Sequence, residues 1–156
     1  MLRQITSFTN DLEKSGISIN FHEKFEDDFK IKIDKTLFSL IMHNFLSNAL
    51  KYSIPNGTIY FNYSNEESLL DISMYSIRIE DDEIKKIFTD GYRGRNTKDL
   101  NENGVGSGLF VVDKSLKLMS MSTLYIDRKK DKTKQFNGIQ YMENHFRFNF
   151  TIKTNY

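Results

Sequence analysis

The chain has 156 residues, of which 22 are basic and 21 acidic, a formal net charge of +1 and no cysteine. That length fits one domain with a sizeable core, and the even charge removes any global electrostatic reason to invoke nucleic acid or an anionic membrane as partner. Without cysteine there is no disulfide, thiolate zinc site or cysteine nucleophile, which fits an intracellular domain.

No apolar run approaches the roughly 20 residues that cross a bilayer, and the first residues lack the apolar core of a signal peptide, so the chain reads as soluble. Met1 to Lys14 has helical spacing (Leu2, Ile5, Phe8, Leu12) and ends near Gly16, as a linker or the end of an upstream helix does. Residues 1–16 are therefore set apart from a domain over 17–156. Ile17 to Phe21 and Phe29 to Ile33 alternate as half-buried strands do. Asp34 is placed to cap a long helix through Leu37, Phe38, Ile41, Phe45 and Leu50, which stops before Pro55-Asn56-Gly57. Thr58 to Tyr63 and Leu69 to Met74 are expected as strands around a polar turn, and Asp81 to Phe88 as a short helix. Thr89 to Asn103 is poor in apolar residues and reads as a loop. A helix over Ser107 to Met119, a strand near Leu124 to Ile126, an exposed connection over Lys129 to Gly138 and a strand over His145 to Ile152 complete the order. This mixture predicts an α+β fold, a mixed sheet with helices packed on one face.

Two segments carry chemistry. Asn44, Asn48 and Lys51 fall on nearly one face of the long helix, because side chains three and four apart point the same way. Downstream, Gly104, Gly106 and Gly108 run into the apolar helical pattern at Leu109, where exposed amides favour anions and the missing side chains allow close approach. His22, His43 and His145 show no metal-ligand spacing. The phenylalanines and tyrosines supply core bulk, and no base-stacking platform is read into them.

In this order the blocks resemble the catalytic ATP-binding domain of sensor histidine kinases, in the superfamily that also holds gyrase, heat-shock chaperone and mismatch-repair ATPases. Asn44, Asn48, Ala49, Lys51, Tyr52 and Ser53 match the family's Asn-x-x-x-Asn-Ala-x-Lys-Tyr-Ser; Phe88, Tyr92 and Arg93 match its phenylalanine block; Gly104, Gly106, Gly108 and Leu109 match its second glycine block. The resemblance, over roughly Ile17 to Ile152, implies a two-layer sandwich that binds ATP and magnesium. It places Asn48 and Asn44 at the metal, with Asn44 and Lys51 toward the phosphates as catalytic residues. Tyr52, Met74, Arg93, Gly104, Gly106, Gly108 and Leu109 then surround the nucleotide, beneath a lid formed by the loop between the blocks. Arginines in a polar loop are commonly solvated, which is the competing reading for Arg93 and Arg95, and more so for Lys98. Tyr52 is expected to pack, Phe88 to anchor the lid to the core, and His43 to be a packing or helix-face residue.

One block departs from the family. Counting back from Ile79 places Met74, Ser76 and Arg78 where the family has Asp-x-Gly-x-Gly. The aspartate accepts a hydrogen bond from the adenine amino group, and a thioether is a weak acceptor. Losing that bond costs about 1 to 3 kcal/mol, or roughly tenfold to a hundredfold in affinity, so weak or base-indifferent binding is expected. Arg78 either fills the pocket or supplies a new contact.

The implied activity is transfer of the γ-phosphoryl of ATP to a histidine on a phosphoacceptor helical hairpin outside this chain, which has no such hairpin of its own. A response regulator follows as partner, and a cytoplasmic setting, as the cytoplasmic part of a membrane sensor or otherwise. The alternatives are a degenerate module that acts by binding a partner kinase or response regulator, which Met74, Ser76 and Arg78 favour, and an ATPase of the superfamily without histidine transfer.

Overall fold

The computed structural model of the protein describes residues 8–22, 33–64, 66–97, 104–121 and 124–150. Its elements are helix α1 (Thr9–Lys14), strand β1 (Ser18–His22), helix α2 (Lys35–Tyr52), strands β2 (Thr58–Ser64) and β3 (Leu69–Ile77), helix α3 (Gly108–Leu118), and strands β4 (Tyr125–Phe136) and β5 (Ile139–Asn149). The five strands form one sheet in the order β1-β2-β3-β5-β4. β1 and β2 are parallel, joined by α2 as the crossover, and the other three pairs are antiparallel. The expected α+β arrangement is present.

α2 begins where the sequence places it. The Asp34 carboxylate accepts from the Thr36 and Leu37 amides at 2.8 and 3.0 Å, satisfying two of the donors that a helix start leaves unpaired. Phe38, Ile41, Met42, Phe45, Leu46 and Ala49, spaced three and four apart, form its buried face. They meet Ile59 and Phe61 of β2, Leu70, Ile72 and Met74 of β3, and Val112 and Leu116 of α3 in one core. Phe45 lies parallel to Phe148 at 6.4 Å and edge-on to Phe146 at 5.5 Å. Burying one such ring contributes roughly 1.5 to 3 kcal/mol, and here it also fixes the rotation of α2, turning Asn44 and Asn48 toward α3. After Tyr52 the chain becomes extended at Ser53, which bridges to Ser76 of β3.

Three expectations are corrected. The segment Asp81 to Phe88 is not one helix but two 3-10 turns, Asp81–Glu83 and Lys86–Phe88. Glu80 caps the first reciprocally with Glu83, a local bond that satisfies the turn without propagating it. The expected connection over Lys129 to Gly138 is instead strand, the outer half of β4, and β5 begins six residues earlier than His145. Phe136 pairs with Ile139 around Asn137-Gly138, whose φ values of 50° and 78° suit a two-residue hairpin turn. Lys130 to Gly138 is exposed throughout, so the segment never acquires the apolar alternation by which strands are recognised. The strand expected at Phe29 to Ile33, the first seven residues of the N-terminal helix and positions 151 and 152 of the last strand lie outside the described residues.

Candidate functional site

α2, β3, α3 and the segment after the 3-10 turns enclose a cleft of about 320 Å3, within the roughly 300 to 1,000 Å3 usual for small-molecule sites. All ten residues singled out from the sequence line it. Asn44, Asn48, Lys51 and Tyr52 come from α2, Met74 from β3, Arg93 from the loop, and Gly104, Gly106, Gly108 and Leu109 from the glycine run and the start of α3. Residues 98–103 of the expected lid, Lys98 among them, lie outside the described residues.

The polar end is built by close approach of two helices. A Cβ placed on Gly108 would stand 3.1 and 3.2 Å from the Asn48 amide nitrogen and oxygen, and 3.4 Å from Asn44 Oδ1. The missing side chain lets the start of α3 sit against both asparagines without displacing their amides. Asn44 Nδ2 donates to the Leu40 carbonyl of its own helix at 2.8 Å, so its Oδ1 is the atom left toward Gly108. Gly106 has φ +80°, and a Cβ there would lie 2.7 Å from the Tyr92 carbonyl, so the glycine run crosses directly over Gly91-Tyr92. Lys51, in the last turn of α2, stays exposed at the rim.

This donor set fits magnesium with a polyphosphate. Magnesium takes oxygen ligands at octahedral positions and is commonly held by one or two protein oxygens, the remainder being water and phosphate. The asparagine oxygens would supply the protein share. No group of three or more His, Cys, Asp or Glu side chains among the described residues forms a dedicated metal cage, so the phosphates would complete the shell.

The opposite end is apolar, walled by Phe45, Met74, Ile77 and Phe146. Met74, only 5 % exposed, accepts a hydrogen bond at its sulfur from Ser53 Oγ at 3.2 Å. Arg78 also lines this end; its Nε donates to Glu80 at 3.2 Å and its Nη1 to Gln140 at 3.1 Å. Neither alternative raised for Arg78 in the sequence is complete, since the guanidinium is tethered at the cleft wall with 39 % of the side chain exposed.

Glu83 is the residue that sequence reasoning missed. It is 1 % exposed and borders the cleft. It accepts from Tyr92 Oη at 2.9 Å, from the Arg95 amide at 2.8 Å and from the Glu80 amide at 3.1 Å. Burial pushes its carboxyl up, and the Arg95 and Glu80 amides, the Tyr92 hydroxyl and the Arg95 guanidinium outweigh that, holding it below the usual glutamate range. Burial, and after it the same bond, raises the Tyr92 phenol. Glu83 thus clasps the loop that carries Arg93, whose Nη2 donates to the Thr97 carbonyl at 3.2 Å. The Glu80-to-Glu83 spacing was the available signal, since it is that of a capping box. Arg95 remains largely exposed, but its guanidinium pairs with Asp82, so it is more than a solvated side chain. Phe88 packs against the core, and His43 is exposed with Phe8 edge-on at 5.0 Å.

Known proteins resemble this arrangement in sequence and in fold. Sensor histidine kinase WalK of Bacillus subtilis is 33% identical over 88 residues, covering 54% of this chain and 14% of its own. Sensor histidine protein kinase HK06 of Streptococcus pneumoniae is 24% identical over 111 residues, covering 71% of this chain and 24% of its own. The chain therefore spans between about a seventh and a quarter of these relatives. In fold it is similar to the nucleotide-free catalytic domain of histidine kinase ThkA, with a TM-score of 0.68 at 16% identity over 96% of this chain and 90% of that one. It is also similar to the mycobacterial sensor histidine kinase MprB, with a TM-score of 0.67 at 16% identity over 95% of each chain. The sequence profile of the histidine kinase-, DNA gyrase B- and HSP90-like ATPases matches residues 33–153, and the chain belongs to that family.

Proposed function

We propose that this chain is the catalytic domain of a sensor histidine kinase, which binds ATP with magnesium and passes the γ-phosphoryl to a histidine outside this chain. The observation that carries the reading is the seat of Gly108 against Asn44 and Asn48, which brings a helix start and two amide oxygens to one end of one cleft. Asn48 and Asn44 hold the metal, and Lys51 neutralises phosphate oxygens at the rim. The amides of Gly104, Gly106 and Gly108 cradle the phosphates, as successive backbone N–H groups do for anions. Leu109 and Tyr52 wall the cleft, Arg93 lies at the lid, and Met74 floors the base end. Magnesium supplies charge neutralisation on the phosphate oxygens. The residues do the positioning on which phosphoryl transfer mainly depends, as the phosphorus–oxygen bond to ADP breaks and a phosphorus–nitrogen bond to imidazole forms.

The acceptor is then a helical hairpin in the same full-length protein or a partner, with residues 1–16 as the link toward it and 17–156 as the domain. A response regulator is the onward partner; the related ThkA was crystallised with response regulator TrrA, at a TM-score of 0.62 to this chain. The setting is cytoplasmic, and no described helix is long and apolar enough to cross a membrane. A second reading, a degenerate module acting through a partner kinase or response regulator, draws on Met74 and Arg78 at the base end.

Calorimetric titration with a non-hydrolysable ATP analogue, with and without magnesium, separates the two. Magnesium-dependent binding that Asn48→Ala weakens at least tenfold supports the first, and acid-labile label on a supplied hairpin protein completes it. No binding at saturating analogue leaves the partner-binding module.

A further inference from the structure

We infer that Glu83 is a positioning residue for the phosphate end of the cleft: its buried carboxylate fixes Tyr92, and the Gly91-Tyr92 backbone is the ledge that seats the glycine run against the two asparagines. The inference rests on the nucleotide reading above.

Each link is a close contact. One carboxylate oxygen of Glu83, Oε1, accepts from Tyr92 Oη at 2.9 Å and from the Arg95 amide at 2.8 Å, so it grips the loop on both sides of Arg93. The other, Oε2, accepts from the Glu80 amide at 3.1 Å and holds the carboxylate to the 3-10 turn after β3. That turn is fixed to the sheet, because the Arg78 amide donates to the Gln140 carbonyl at 3.2 Å and Arg128 Nη1 donates to the Ile79 carbonyl at 2.9 Å. With Glu83 only 1 % exposed, its orientation is set by these protein donors rather than by water, and hydrogen bonds to an ionised acceptor are the strong ones.

From Tyr92 the path continues through backbone. A Cβ on Gly106 would stand 2.7 Å from the Tyr92 carbonyl oxygen and 2.8 Å from the Gly91 carbonyl carbon, so Gly106 lies directly on those two residues. Two residues further on, a Cβ on Gly108 would stand 3.1 to 3.4 Å from the Asn48 and Asn44 amides. Contacts this close leave no gap to absorb a movement, so a shift of Tyr92 passes to Gly106 and on to the start of α3. Glu83 acts on the phosphate cradle through Tyr92, without touching the nucleotide.

The test pairs two measurements on the full chain. Nuclear magnetic resonance with isotope-labelled glycine reads the Gly106 and Gly108 amides directly, and calorimetry reads the affinity for the magnesium complex of a non-hydrolysable ATP analogue. Tyr92→Phe keeps the ring and deletes the hydroxyl. It should move the Gly106 and Gly108 resonances, leave those of Gly57 and Gly138 in place, and weaken binding about threefold to tenfold, the range of one hydrogen bond. Glu83→Ala offers the loop no acceptor and should lose at least as much. Glu83→Gln keeps one oxygen with two lone pairs, enough for Tyr92 and the Arg95 amide, and should return affinity to within about twofold of the unaltered chain. If Glu83→Ala does not fold, Tyr92→Phe and Glu83→Gln decide. Unmoved Gly106 and Gly108 resonances in Tyr92→Phe overturn the inference, as do moved resonances with unchanged affinity. A Glu83→Gln loss as large as that of Tyr92→Phe overturns it too, since charge rather than the grip on the loop would then carry the effect. In all three cases the nucleotide reading stands; an unaltered chain that does not bind the analogue overturns both.

Discussion

Gly108 concentrates the chemistry of the site in the absence of one methyl group. A Cβ there would stand 3.1 to 3.4 Å from the Asn48 and Asn44 amides, tighter than ordinary contact, while the φ of Gly108 is not in the left-handed region. The substitution Gly108→Ala is therefore compatible with the backbone of α3 but displaces the Asn48 and Asn44 amides by a few tenths of an ångström where the two helices meet. We expect magnesium–nucleotide affinity to fall about tenfold, with a thermal midpoint that moves by no more than a few degrees. Calorimetry paired with thermal unfolding checks this, and an unchanged affinity would remove Gly108 from the site. Gly106 differs in kind, because its φ of +80° and the nearby Tyr92 carbonyl bar a side chain on two grounds. Glu83 shows a third kind of residue-scale effect, a buried carboxylate with three hydrogen bonds, two of which hold the loop. Its role depends on Tyr92 and Arg95 returning to it nine and twelve residues later in the chain.

The elements divide by what specifies them. α2 is determined locally, by the Asp34 cap, the spacing of its apolar residues and the break at Pro55-Asn56-Gly57, and it stands as read. The β4–β5 hairpin is determined by its turn and by pairing rather than by pattern. Its outer half carries Lys129, Lys130, Lys132 and Lys134, paired with Asp127, Asp81, Glu143 and the Tyr75 ring respectively. Lysine on an edge strand discourages pairing with another chain, which explains an exposed strand with so little apolar content. The turn makes a clean prediction. Nothing lies within 4 Å of a Cβ on Gly138, whose φ is +78°, so Gly138→Val is penalised by backbone conformation alone. It should cost about 1 to 2 kcal/mol in denaturant unfolding. A smaller loss would mean that the hairpin reforms around another turn.

At the scale of the whole molecule, near-balanced charge hides an organised set of carboxylates. Burial raises Glu83 and Glu143, and their partners more than compensate, His145 and Lys132 in the second case. A hydrogen bond from Lys129 leads the lowering of Asp127. All three sit below their ordinary values, so the stability they contribute is complete above about pH 4 to 5 and is lost as pH falls through their folded values. The urea midpoint should therefore drop between pH 6 and 3, and Glu83→Gln, which cannot take up that proton, should show the shallower fall. Equal slopes would mean that Glu83 does not titrate with folding. The sequence by itself determined the asparagine helix and its cap, the glycine run, the α+β class and the family, because each rests on residues close together in the chain. It also exposed the departure at Met74, Ser76 and Arg78. Only the tertiary structure decided that the outer half of β4 is a strand, that Glu83 clasps the loop, and that Gly108 seats against Asn44 and Asn48. Those outcomes depend on groups separated by many residues, and no local periodicity records which of them meet when the sheet closes beneath the helices.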